Sequence, residues 1–117
     1  MSKTKNEKKN FLDFIPVRSE KHKWKADSSG NVTIYVEHNG IFDKVAQKLL
    51  RRPKTTQVHL EKTGSFVWML IDGKSSIYEL GKPVKEHFGE KAEPLYPRLA
   101  HYISTLEKCG FVYRKER

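Results

Sequence analysis

The chain has 117 residues, of which 37% are apolar and 32% are charged, and its formal net charge at pH 7 is +9. These values predict one compact domain with a modest core; the sequence has neither an apolar run that could span a bilayer nor a signal peptide, so we expect a cytoplasmic protein. The positive excess lies in the two tails and between residues 44 and 54, whereas residues 61–109 are neutral overall, which disfavours a charged helical face.

The first ten residues are polar and mostly basic. Residues 1–10 have no apolar side chain after Met1 and cannot offset the entropy of ordering, so they are predicted to form a disordered tail. A single domain is predicted over residues 11–117. Its first part, from Phe11 to Val17, is an apolar cluster that we interpret as an ordered arm lying over an edge of the core.

A hairpin and a short helix are predicted next. Two β-prone runs, Trp24–Ala26 and Val32–Glu37, flank a turn-rich spacer at residues 27–31, which is the sequence form of a β-hairpin. Apolar residues between Ile41 and Leu50 then recur at helical spacing up to the stop at Pro53. This pattern predicts a short amphipathic helix.

A third strand is predicted over Thr55–Leu60, where apolar and polar residues alternate again. The alternation places Val58 and Leu60 toward the core. Gln57 and His59 are placed toward solvent.

Three helices are predicted in close succession after this strand. The first covers about residues 61–71, the second opens with a capping box from Ser76 to Glu79, and the third opens with Glu93-Pro94. Pro83 is expected to bend or divide the second helix. Each helix is closed by a glycine suited to the left-handed conformation, namely Gly73, Gly89 and Gly110.

A β-like tail over residues 111–113 completes the pattern. We therefore predict an α+β winged helix-turn-helix fold, with an N-terminal three-stranded antiparallel β-sheet, a three-helix bundle and an extra short helix before the third strand. Cys109 is the only cysteine, and we expect it to be a buried structural thiol at the end of the last helix.

The motifs of common catalytic and metal sites are missing from the sequence. There is no nucleophile elbow, no Cys/His pairing and no Gly-rich phosphate loop. The histidines are scattered singly, without a cysteine cluster that could complete a metal site: His22, His38, His59, His87 and His101. We predict no catalytic residues, no metal, no cofactor and no enzymatic activity.

A series of motifs from the third strand onward carries a family resemblance. The run from Val58 to Gly73 contains a strand, the pair Leu60-Glu61, a small residue before an aromatic one and the closing pair Asp72-Gly73. Further pieces follow in order: Phe88-Gly89-Glu90, Glu93-Pro94-Leu95-Tyr96, Arg98-Leu99 and the segment from Leu106 to Val112. In kind and order these motifs resemble the PqqD-like family, over roughly residues 24–112.

Three features depart from the family pattern. Glu61 stands where the family usually has an aspartate as helix cap, and Pro97 stands where a polar helix former is usual. The helix predicted over residues 41–50 is unlike the compact proteins of quinone-cofactor biosynthesis and matches a broader subgroup.

The resemblance implies a bacterial RiPP recognition element, in which the leader of a ribosomally made precursor peptide adds as a strand beside the third strand and lies against the last helix. It also implies a radical SAM or other maturase enzyme as partner, and we expect a monomer or weak dimer. For Tyr102, core and groove positions are equally compatible with the pattern. The expected peptide-binding residues are Thr55, Thr56, Gln57, Val58, His59, Leu60, Arg98, Tyr102 and Thr105.

The alternative is a winged-helix DNA-binding transcriptional regulator, since the chain is strongly basic. The exposed side of the last predicted helix is poor in Arg, Asn and Gln and includes Glu107, so specific base readout is not favoured there. A purely structural subunit of a modification complex is a third possibility. It would show no affinity for a free leader peptide.

Overall fold

The computed structural model of the chain describes residues 11–37 and 55–116. The tail predicted over residues 1–10 and the helix predicted over residues 41–50 lie outside the described residues. The strands are β1 (Ile15–Arg18), β2 (Lys23–Ala26), β3 (Val32–Glu37), β4 (Thr55–His59) and β5 (Val112–Lys115). The helices are α1 (Lys62–Leu70), α2 (Ile77–Phe88) and α3 (Leu95–Lys108), with 3₁₀ helices at Phe11–Asp13 and Gly89–Ala92.

The described elements form two compact units. One comprises the described residues between Glu20 and Phe66, and the other comprises the described residues up to Ser19 together with those from Val67 onward. The α+β class is confirmed, but the strands divide between two antiparallel sheets, one of order β2-β3-β4 and one of order β1-β5. The predicted three-stranded sheet is therefore present, and the predicted tail is β5. The winged-helix arrangement stays a prediction.

The hairpin of the first unit follows from its turn residues. The Asp27 carboxylate accepts hydrogen bonds from the backbone N–H of Ser29, at 2.8 Å, and of Asn31, at 3.0 Å. Gly30 has a φ of 85°, which costs little for a residue without a Cβ. The turn thus sets the register in which Trp24 lies opposite Ile34.

A buried serine ties the start of α1 to this sheet. Ser65 is 1% exposed, and its hydroxyl accepts a hydrogen bond from the Val32 N–H at 2.8 Å and donates one to the Leu60 carbonyl at 3.2 Å. A buried polar group without partners would cost about 1–3 kcal/mol. Because the hydroxyl satisfies a backbone donor and a backbone acceptor at once, it holds the helix start against the ends of β3 and β4.

The core of the second unit is built from the apolar stripes of α2 and α3. The capping box is present: the Ser76 hydroxyl accepts from the Glu79 N–H at 3.1 Å, and the Glu79 carboxylate accepts from the Ser76 N–H at 2.8 Å. The helix continues through Pro83, so of the two expected effects the division is wrong, and the bend stays a prediction. Buried side chains on both sides of the proline hold the helix together: Ile77, Leu80 and Val84.

The second sheet contains a strand that the sequence pattern did not predict. The segment expected to be an apolar arm forms a 3₁₀ turn and then β1, which pairs with β5 so that Val17 lies opposite Tyr113. Pro16 lies inside β1, where its missing N–H is tolerated because each strand of a two-stranded sheet has an outer edge. The Ile77 N–H donates to the Phe14 carbonyl at 3.0 Å, which joins this segment to the start of α2.

The helix ends confirm one prediction and correct another. Gly73, Gly89 and Gly110 all have the positive φ expected of them, at 75°, 61° and 80°, but the ψ of −135° at Gly89 lies outside the left-handed helical region. Cys109, however, is exposed, so the expectation of a buried thiol is wrong. It follows the last turn of α3 at a point where the apolar stripe has already ended, after Leu106.

Candidate functional site

Strand β4 lies at one end of the three-stranded sheet. Strand β3 is its neighbour on one side, and no strand among residues 11–37 and 55–116 lies on the other. Edge strands offer backbone donors and acceptors to an added strand. The residues of β4 are therefore candidates for pairing with an added strand.

The register shows which backbone groups of β4 face outward. The Leu60 N–H donates to the Val32 carbonyl at 2.9 Å, just beyond the end of the strand, and Ile34 lies opposite Val58. In an antiparallel ladder every second pair exchanges hydrogen bonds, so the backbone groups of residues 56, 58 and 60 face β3. The N–H and C=O groups of Gln57 and His59 consequently face away from β3.

The side chains of β4 divide between two faces as predicted. Val58 and Leu60 are half-buried, on the face where Ile34 is 0% exposed. Gln57 and His59 are exposed on the opposite face. There the Nδ1 atom of His59 lies 2.9 Å from the Thr33 hydroxyl. The strand thus has an apolar face and a polar face.

The other edge of the same sheet differs in charge. Strand β2 carries Lys23 and Lys25, both exposed, on either side of the half-buried Trp24. Charged residues, lysine above all, discourage pairing with a further strand. The segment Thr55–His59 contains no charged side chain apart from the titratable imidazole of His59. The chemistry of the two edges therefore favours strand addition at β4.

The three predicted site residues of the last helix lie on one side of α3, at spacings of four and three residues. Arg98 is exposed, and its Nη1 donates to the carbonyls of Lys91 and Glu93 at 2.9 and 3.3 Å. Thr105 is exposed and donates to the His101 carbonyl at 2.9 Å. This helix belongs to the second unit, within which these contacts are made.

Tyr102 is half-buried between these two residues. Burial of the phenol raises the pKa of Tyr102 well above its ordinary value of 10.0, because the phenolate would lose hydration. The side chain is therefore a neutral hydroxyl at physiological pH, with an apolar ring partly covered by protein.

The turn between α1 and α2 is held by side-chain hydrogen bonds to its own backbone. The Asp72 carboxylate accepts hydrogen bonds from the N–H groups of Lys74, at 2.8 Å, and Ser75, at 2.9 Å. These two backbone bonds hold the pKa of Asp72 below its ordinary value of 3.8. Gly73 follows in the left-handed conformation, and its Cα approaches the Val17 side chain so that a Cβ would meet it at 3.8 Å.

An aromatic pair in the second unit was missed by sequence reasoning. The rings of Tyr78 and Tyr96 stack with centroids 5.2 Å apart and an interplanar angle of 12°, and Tyr78 is 57% exposed. Gly81 makes room for this pair, since a Cβ there would lie 2.6 Å from a ring carbon of Tyr96. A glycine in the middle of a predicted helix was the available sequence signal.

A family model matches the chain over residues 47–112, which is more than half of its length, and its description is "Coenzyme PQQ synthesis protein D (PqqD)". The chain belongs to the PqqD family. This is a family of RiPP recognition elements, so the resemblance inferred from the motifs is confirmed.

The PqqD match covers β4, all three described α-helices and the first residue of β5. The expected peptide-binding residues, from Thr55 to Leu60 and from Arg98 to Thr105, therefore lie within the part of the chain shared with the PqqD family. The hairpin formed by β2 and β3 precedes the match.

Comparisons of this PqqD-family chain with curated proteins and with solved structures found no match. Across the described residues, no helix is both long and apolar enough to cross a membrane. Within the same ranges, no three side chains among His, Cys, Asp and Glu are grouped so that they could hold a metal ion.

Proposed function

We propose that this PqqD-family protein captures the leader of a ribosomally synthesised precursor peptide by strand addition at β4 and presents it to a modifying enzyme. The enzyme partner is a radical SAM or other maturase, and the protein itself is a non-catalytic accessory factor of the cytoplasm. The observation that carries this proposal is the chemistry of β4, an edge strand without fixed charge in a sheet whose other edge carries Lys23 and Lys25.

Backbone hydrogen bonds supply part of the affinity. The outward N–H and C=O groups of Gln57 and His59 can exchange four hydrogen bonds with an added strand, each with a net value of about 0.5–1.5 kcal/mol. A dissociation constant of about 1 μM corresponds to about 8 kcal/mol. Side-chain contacts must supply the rest, and the half-buried Val58 and Leu60 are the apolar groups of the edge that can do so.

The face of α3 supplies further contacts in this proposal. The hydrogen bonds of Arg98 to the carbonyls of Lys91 and Glu93 both use Nη1, so its other nitrogens can donate to an acidic residue of the leader. Tyr102 offers part of an apolar ring, and Thr105 offers a side chain on the exposed surface. These three residues are tested separately from β4, by substitution to alanine.

The decisive experiment is an NMR titration of the full chain with the precursor peptides encoded beside its gene. We expect micromolar binding, with the largest amide shifts at Gln57 and His59. A scrambled leader of the same composition is the control. Binding without shifts in β4 would contradict the proposed edge, and no binding to any encoded precursor would contradict the proposed function.

A further inference from the structure

We propose that the strand added to β4 pairs in one register, with apolar side chains opposite Val58 and Leu60 and a carboxylate side chain opposite His59. This inference rests on the proposed function and specifies the ligand class. The recognised core is three consecutive residues of the type apolar, acidic, apolar.

The apolar half of this pattern follows from the inner face of the sheet. Side chains directly opposite one another in neighbouring strands lie on the same face. Val58 lies opposite Ile34, which is fully buried, and Leu60 bonds to Val32, which is 1% exposed. A residue added opposite Val58 or Leu60 extends this apolar face. A shift of the added strand by one residue would place its polar side chains on the apolar face, so the unshifted register is favoured.

The backbone pattern strengthens that selection. Because the N–H and C=O groups of Val58 face β3, an added residue opposite Val58 belongs to a pair without mutual hydrogen bonds. Such pairs bring the Cα atoms to about 4.5 Å and the side chains into close contact. The residue opposite His59 belongs instead to a hydrogen-bonded pair, which fixes its backbone.

The acidic position follows from the outer face. The register aligns Lys25, Thr33 and His59 in one row across the three strands. The neighbouring row contains Lys23, Tyr35 and Gln57. A residue added opposite His59 therefore extends a row that contains a lysine and a histidine and no acid.

The hydrogen bond between Thr33 and His59 orients the imidazole for this contact. In the tautomer in which the Thr33 hydroxyl donates to Nδ1 across 2.9 Å, Nε2 carries the ring proton and donates to a partner. A carboxylate accepts such a bond, whereas a lysine ammonium cannot. Glu37, an acid on the same face, lies opposite Thr55 at the far end of β4.

The test uses synthetic peptides of the form Thr-Thr-Val-Glu-Val-Thr-Thr, with blocked ends, together with versions in which Gln or Lys replaces Glu. Binding to the full chain is followed by NMR at the β4 amides. Cross-strand pairs contribute about 0.2–1 kcal/mol, so we expect the Glu peptide to bind about 1.4- to five-fold more tightly than the Lys peptide. His59→Glu should reverse this order, and His59→Gln should reduce the difference.

The matched control is His101→Gln, which changes an exposed histidine of α3 and should leave the order of the peptides unchanged. Equal affinities of the Glu and Lys peptides, with shifts in β4, would overturn the acidic position and leave strand addition intact. If only the encoded precursor binds, the residue found opposite His59 by NMR contacts decides: an acid supports the inference, and any other residue overturns it. Failure of every peptide at β4 contradicts the proposed function itself.

Discussion

Two polar side chains of this protein stabilise it by satisfying backbone groups. Ser65 bridges the Val32 N–H and the Leu60 carbonyl, and Asp72 accepts two N–H groups in the turn before α2. Both are short polar residues that can reach the backbone of a neighbouring segment. They determine how α1 begins and how the chain leaves it.

Asp72 makes stability depend on pH in the acidic range. Its pKa in the folded protein is lower than in the unfolded chain, so folding is stabilised above the unfolded value of about 4 and this contribution is lost as the pH falls through the folded value. We expect Asp72→Asn to lower the free energy of unfolding at pH 7 and to change it less at pH 3. Urea denaturation at the two pH values measures this, with Glu86→Gln on α2 as control. An equal loss at both pH values would contradict the role of the charge.

At the scale of elements, strand β4 has two sets of backbone groups, one bonded to β3 and one facing outward. Residues 56, 58 and 60 hold it to β3, whereas Gln57 and His59 face outward. The sequence pattern predicted the strand and its two side-chain faces. It could not show which backbone groups are used, because that depends on the register with β3, a contact between segments distant in sequence.

Two proline substitutions test the inward and the outward backbone groups of β4 separately. Gln57→Pro removes an N–H that faces away from β3, so we expect a folded protein whose leader affinity falls by about ten-fold or more, since one hydrogen bond is lost and the added strand is sterically hindered. Val58→Pro removes an N–H of the β3 ladder and should lower the free energy of unfolding by about 1–3 kcal/mol, the cost of leaving a backbone acceptor unpaired.

Urea denaturation measures the stability of both variants, and a titration with the leader measures binding by the folded one. The assignment of the outward edge would be wrong if Gln57→Pro unfolded the sheet while Val58→Pro left its stability unchanged.

At the scale of the whole molecule, the charge of +9 does not by itself identify a nucleic-acid partner. Arg114, for example, is engaged within the second unit, where it donates to both carboxylate oxygens of Glu107 at 2.8 and 3.1 Å. The family match instead points to biosynthesis of modified peptides.

The dependence of binding on salt separates these partners. Backbone hydrogen bonds and apolar contacts are weakly screened, so leader affinity should change by less than about three-fold between 50 and 200 mM salt. DNA binding through six or more phosphate contacts would weaken by about a thousand-fold or more over the same range. Titrations with the leader and with random duplex DNA at both salt concentrations measure this. A steep loss of leader affinity would contradict a contact made mainly by the backbone.

The sequence by itself determined the elements whose causes are local. The capping box at Ser76, the closing glycines, the turn at Asp27 and the alternation in β4 all depend on residues close together in the chain, and all are present. The motif order from Val58 to Val112 was also sufficient to identify the family.

Only the tertiary structure decided the features that arise from distant pairings. Strand β1 contains a proline and has no alternation of its own, so it becomes visible only through its pairing with β5. The exposed position of Cys109 depends on where the stripe of α3 ends against the core. The division into two sheets and the outward groups of Gln57 and His59 likewise follow from register, because hydrogen bonds between strands join residues that are far apart in the sequence.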